Sequence, residues 1–114
     1  MTSSKLDFDE ERDFLIVNLL GKCESKKNYK LELVYKGIIA STLYGYYRSR
    51  YTDSLGNIHF LATTKFEPTH ARRAFPCFDE PSLKAEYIIN LIRPKHLSSS
   101  FSNMPLKKTE QYSK

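Results

Sequence analysis

Three histidines, two cysteines and a scatter of charged side chains are the groups in this 114-residue chain able to bind or react. His59, His70 and His96 have no histidine partner four residues away. No helix face therefore presents two imidazoles to a zinc ion. Two cysteines, Cys23 and Cys77, are too few for a disulfide framework, and their spacing does not demand that they pair. Cys77 sits among Phe75, Pro76 and Phe78, with His70 the nearest base in sequence. It reads as a buried free thiol, since a catalytic thiol needs a base beside it. Arg72 and Asp79 flank this turn, and a pair between them would tie the irregular segment to itself, a structural role. Tyr46, Tyr47, Arg48, Arg50 and Tyr51 could stack on single-stranded bases, but alternating aromatics in a strand more often pack a core or a neighbouring domain. Glu67, read by itself, is a solvated carboxylate at the end of a strand.

The formal net charge is +5, and a basic balance raises nucleic acid or an anionic membrane as partners. The cations, however, come as separated pairs: Lys26 and Lys27, Arg48 and Arg50, Arg72 and Arg73, Lys107 and Lys108. Pairs set between apolar strands read as a solvated surface, so nucleic acid is not the expected partner. No Asn-x-Ser/Thr acceptor occurs. Residues Met1 to Arg12 are polar and acidic, unlike a signal or transit peptide, and no apolar run approaches membrane-spanning length. As written, the chain would stay in the cytosol.

These groups need elements to hold them, and the pattern is that of β-structure. Aromatic residues make up 13% of the chain, as eight Tyr and seven Phe, which favour pleated surfaces. Residues 1–13 read as a polar lead-in, 14–105 as the β-domain and 106–114 as a polar tail. Strands are predicted near 14–20, 29–36, 44–51, 58–66 and 84–92. The first, Phe14 to Leu20, is short and rich in β-branched and large apolar side chains and reads as buried on both faces. Tyr29 to Gly37 alternates and reads as half-buried. Asp53-Ser54-Leu55-Gly56-Asn57 is a turn signal that makes a hairpin of its flanking strands. Pro68 ends the second of them because it lacks the N–H a ladder requires. His70 to Phe75 reads as one helical turn with Thr69 as N-cap. A short strand is expected near Phe101, and a sheet cut there would expose an unpaired edge.

Residues Thr64 to Pro81, TKFEPTHARRAFPCFDEP, closely resemble a signature of the aminopeptidase N family of gluzincin zinc metallopeptidases, which typically reads TQFEPTDARRAFPCFDEP. Two flanks agree: Gly45 to Tyr51, GYYRSRY, is similar to the family's GFYRSRY, and Ser102 to Pro105 reads SNMP as the family does. Order and spacing fit from Leu15 to Pro105. The resemblance implies a partial saddle-shaped antiparallel β-domain, the N-terminal domain of such enzymes, lacking its first and last strands. Zinc, an H-E-x-x-H helix and a G-A-M-E-N loop belong to the catalytic domain in complete members, and neither motif is in this sequence. The resemblance further implies that Glu67 binds the substrate's free α-amine, a charge-assisted contact between carboxylate and ammonium. Lys65 departs from the family's usual Gln. Two residues apart on a strand, Lys65 and Glu67 would share a face, and the lysine would compete with the substrate amine for the carboxylate.

The expected function is thus a fragment of an aminopeptidase's N-terminal domain, inactive alone, working with the enzyme's catalytic domain on peptide substrates. The alternative is a non-catalytic binding or scaffold module derived from that family. An oligonucleotide-binding barrel has no use for the FPCFDEP turn. Family members are plasma-membrane ectoenzymes or cytoplasmic, and the sequence leaves the location open.

Overall fold

A computed structural model describes residues 3–97 and 99–112. Its regular elements are all β apart from one 3₁₀ turn: β1 (Ser3–Asp9), β2 (Phe14–Leu19), β3 (Gly45–Thr52), β4 (Ile58–Lys65) and the turn Ala71–Arg73. The all-β expectation holds. The strands form two antiparallel pairs, β1 with β2 and β3 with β4. Residues 1–84 form one compact unit and 85–114 a second.

In the first pair Leu6 faces Val17, Phe8 faces Leu15 and Asp9 faces Phe14, with a bulge between Ser3 and Lys5. The lead-in expected over residues 1–13 is thus largely a strand. Its acidic residues obscured an alternation in which Leu6 and Phe8 share a face. Nor is β2 buried on both faces: Leu15 and Val17 are half-buried, while Phe14 and Ile16 stay exposed. A two-stranded ribbon has nothing to lay over its second face.

In the second pair every residue from Gly45↔Lys65 to Thr52↔Ile58 is in unbroken register. Its tip is held by Asp53, whose Oδ1 accepts the N–H groups of Leu55 and Asn57, both at 2.9 Å. Gly56, at φ 87°, supplies the left-handed residue the turn requires. The His59 ring approaches Asp53 Oδ2 at 2.8 Å and stacks on Tyr51, centroids 5.1 Å apart.

The segments expected as strands at 29–36 and 84–92 carry no strand, and neither does the region near Phe101. An extended segment becomes a strand only when a neighbour accepts its ladder bonds, and alternation shows which face would be wet without supplying that neighbour. The helical turn expected over 70–75 is a three-residue 3₁₀ turn, with His70 rather than Thr69 at its cap and no side-chain cap bond. Residues 85–114 have no regular element among the described residues. The Leu97 N–H reaches the Pro94 carbonyl at 3.1 Å, and the Arg93 guanidinium donates to the Leu97 carbonyl. No apolar side chain is fully buried among the described residues.

Candidate functional site

The signature segment begins where β4 ends. Lys65 is the last strand residue and pairs with Gly45, so Glu67 lies beyond the ladder, in the turn that follows. That turn closes when the His70 N–H donates to the Phe66 carbonyl at 2.7 Å. The Phe66 ring meets the Phe75 ring edge-on at 5.8 Å, which holds the two ends of the loop together. Glu67 and Lys65 are both exposed, and the Glu67–Pro68 peptide is cis.

Strand alternation therefore does not relate the two side chains as the sequence suggested, because the pleat stops at Lys65. No ion pair joins them among the described residues. The Lys65 ammonium instead stands 5.7 Å from the centroid of the Tyr44 ring. His70 packs against the same ring, centroids 4.4 Å apart and tilted by 41°. Its Nδ1 is buried without a hydrogen-bond partner. Tyr44 is not singled out from sequence, and His70 is considered there only as a zinc ligand, as a base for Cys77 and as the start of a helical turn. The one signal available was that His70 stands where the resembled signature has Asp.

Gly45 explains why these groups converge. Its φ is +69°, and a Cβ built there would lie 2.9 Å from Arg73 Cβ and 3.4 Å from the His70 carbonyl oxygen. The 3₁₀ turn therefore sits directly on the first residue of β3, and any side chain at 45 would push it away.

Arg72 anchors the other end of the segment. Its Nε donates to Asp79 Oδ2 at 3.1 Å, its backbone N–H to the same oxygen at 3.2 Å, and its Nη2 to the Asp79 carbonyl at 3.0 Å. The pair expected between Arg72 and Asp79 is thus present, and both side chains are about 85% covered, at 15% and 16% exposure. Nη1 donates to the Arg12 carbonyl at 3.2 Å, and the guanidinium lies 5.5 Å from the Phe14 ring. Arg73 pairs with Asp13 at 3.1 Å. The signature thereby grips the tip of the β1–β2 hairpin, a connection across 60 residues that spacing does not reveal.

Cys23 and Cys77 are both free; Cys23 is exposed and Cys77 half-buried rather than fully buried. Burial pushes the Cys77 thiol up, Asp79 adds to the rise, and Arg72 opposes it. A thiol held protonated is a poor nucleophile, which suits a packing role.

Among the described residues no group of three or more His, Cys, Asp or Glu could hold a metal ion. His59 is engaged by Asp53, and His70 is packed on Tyr44. These side chains do not fit a zinc site, so no chemistry is routed through a metal held here. No helix among them is long and apolar enough to cross a membrane.

The pattern of the peptidase M1 N-terminal domain matches residues 2–114. The chain belongs to this family. It is 47% identical over 96 residues to bovine (Bos taurus) aminopeptidase N, a match covering 83% of this chain and 10% of that protein. It is 48% identical over 82 residues to human (Homo sapiens) endoplasmic reticulum aminopeptidase 1, covering 71% of this chain and 8% of that protein. Against aminopeptidase 2, mitochondrial, of Saccharomyces cerevisiae the identity is 42% over 110 residues, covering 94% of this chain and 11% of that protein. The chain thus spans about a tenth of the length of the curated relatives it matches. No solved structure matches it.

Proposed function

We propose that this M1 N-terminal segment supplies Glu67 as the group that binds the free α-amine of a peptide substrate in a complete zinc aminopeptidase. The zinc and the hydrolytic residues belong to the catalytic domain of that enzyme, and this chain is inactive alone. The observation that carries the reading is Glu67 itself: an exposed carboxylate in a turn closed by the Phe66–His70 bond and anchored through Arg72 to Asp79. A carboxylate so presented accepts strong hydrogen bonds from an ammonium and offers nothing comparable to an amide. Lys65 is the second member of the site, a cation near enough in the chain to weaken that interaction when it is free to approach.

Steady-state kinetics on the full-length protein test this reading. Glu67→Ala removes one charge-assisted contact, about 1.5–3 kcal/mol, so kcat/KM for a free-amine peptide falls roughly ten- to a hundredfold. Inhibition by the same peptide with its amine blocked changes little, since no ammonium is present to be lost. Equal effects on free and blocked peptides would overturn the assignment. Lys65→Gln raises kcat/KM for the free-amine peptide only.

A further inference from the structure

Lys65 ends β4 opposite Gly45, the one β3 residue that offers no side chain to meet it. An aliphatic stem placed there is free to lean along the strand end. It leans so that the ammonium reaches 5.7 Å from the Tyr44 centroid, within the range of a cation–π contact. Tyr44 has a second partner. Its ring is packed on His70 at 4.4 Å, and His70 is fixed in turn by its N–H to Phe66 and by its carbonyl, which accepts the Arg73 N–H at 3.2 Å. The ring thus has His70 packed against it, whereas Lys65 is exposed at the strand end.

We propose that Tyr44 is a positioning residue that holds the Lys65 ammonium away from Glu67 and so keeps the carboxylate available to a substrate amine. This rests on Glu67 as the amine-binding group and adds the residue that governs its availability. Lysine has a four-carbon flexible stem, and among the described residues its ammonium is placed near the Tyr44 face. Removing that face releases the cation two residues from a carboxylate, where it competes with the incoming ammonium for the same acceptor oxygens. The lysine thus acts as an internal competitor, and the ring sets how much of the time it competes. An exposed cation–π contact is strong enough to change that occupancy by about two- to fivefold.

The test is a double-mutant cycle in the full-length protein, read as KM for a free-amine peptide and as inhibition by its amino-blocked form. Tyr44→Leu raises KM about two- to fivefold with kcat little changed and leaves the blocked peptide unaffected. Lys65→Gln in that background brings KM to the value of Lys65→Gln alone, at or below the wild-type value, which repair of a merely damaged fold would not do. Tyr44→Phe keeps the ring face and behaves as wild type. Additive effects of Tyr44→Leu and Lys65→Gln, or a Phe variant as impaired as the Leu variant, would overturn the proposal. Glu67→Ala separates the two levels of the argument. If it leaves KM for the free amine unchanged, the amine-binding reading fails, and the role of Tyr44 fails with it. If it raises KM while the cycle shows no coupling, only the role of Tyr44 is lost. Should Tyr44→Leu fail to fold, the Lys65 ε-methylene protons of the wild-type protein decide: an upfield ring-current shift supports the contact, and unshifted values overturn it.

Discussion

Two carboxylates in this molecule, Asp53 and Glu67, differ in what surrounds them. Asp53 spends its oxygens on its own turn, accepting from the His59 ring, from the Asn57 N–H and amide, and from the Leu55 N–H. These bonds, that of His59 foremost, hold its carboxyl down at about 2 against an ordinary value of 3.8. The folded value lies below the unfolded one, so the stabilisation is fully present above the ordinary value and is lost as pH falls towards about 2. A carboxyl-carbon NMR titration should find the Asp53 midpoint near 2, and His59→Ala should raise it; a wild-type midpoint near 3.8 would contradict the turn geometry. Glu67 accepts no comparable set of bonds and faces solvent. The kinetic loss expected for Glu67→Ala, and its absence with blocked peptides, belongs to the same residue-scale contrast.

At the scale of elements, the signature segment acts as a clamp. Arg72 joins Asp79, the Arg12 carbonyl and the Phe14 ring, so one guanidinium connects the loop after β4 to the β1–β2 hairpin. Five N–H donors in a fixed fork make this possible, and a lysine has no equivalent geometry. Breaking such a covered pair costs about 3–5 kcal/mol, because the partner carboxylate is left without its cation. Arg72→Ala should therefore speed amide exchange at Ala74 and Phe75, which donate to the Ala71 carbonyl at 2.9 and 3.1 Å. Arg72→Lys should recover part of the protection, and unchanged exchange in both variants would refute the clamp. Much of this architecture was legible in the sequence. The β3–β4 hairpin follows from its turn residues and its apolar runs, and the Arg72–Asp79 pair from the seven-residue spacing across Pro76. What was not legible depends on partners distant in sequence. β1 was hidden because its acidic residues mask the Leu6–Phe8 face. The segments 29–36 and 84–92 have strand composition, yet a ladder depends on a neighbour that composition cannot supply. At the site, Lys65 and Glu67 were legible as residues, whereas their relation was not. The strand ends at Lys65, and Tyr44 enters from the preceding loop.

For the whole molecule, the decisive quantity is surface. Among the described residues no apolar side chain is fully buried. Side chains such as Phe8, Leu20, Val34 and Ile88 stand 71–98% exposed, and the strands form only two-stranded ribbons among the described residues. Such apolar exposure favours association. Produced by itself, the chain should associate and bind a hydrophobic dye strongly; a monodisperse monomer with a cooperative unfolding transition would contradict this. The central claim, that this M1 segment brings Glu67 to the amino end of a peptide, has one most direct measurement. It is an experimental structure of the full-length protein with a non-hydrolysable free-amine peptide bound. A Glu67 carboxylate oxygen should lie about 2.7–2.9 Å from the α-ammonium nitrogen, with the Lys65 ammonium still over the Tyr44 ring. An α-amine bound with Glu67 turned to solvent would contradict it.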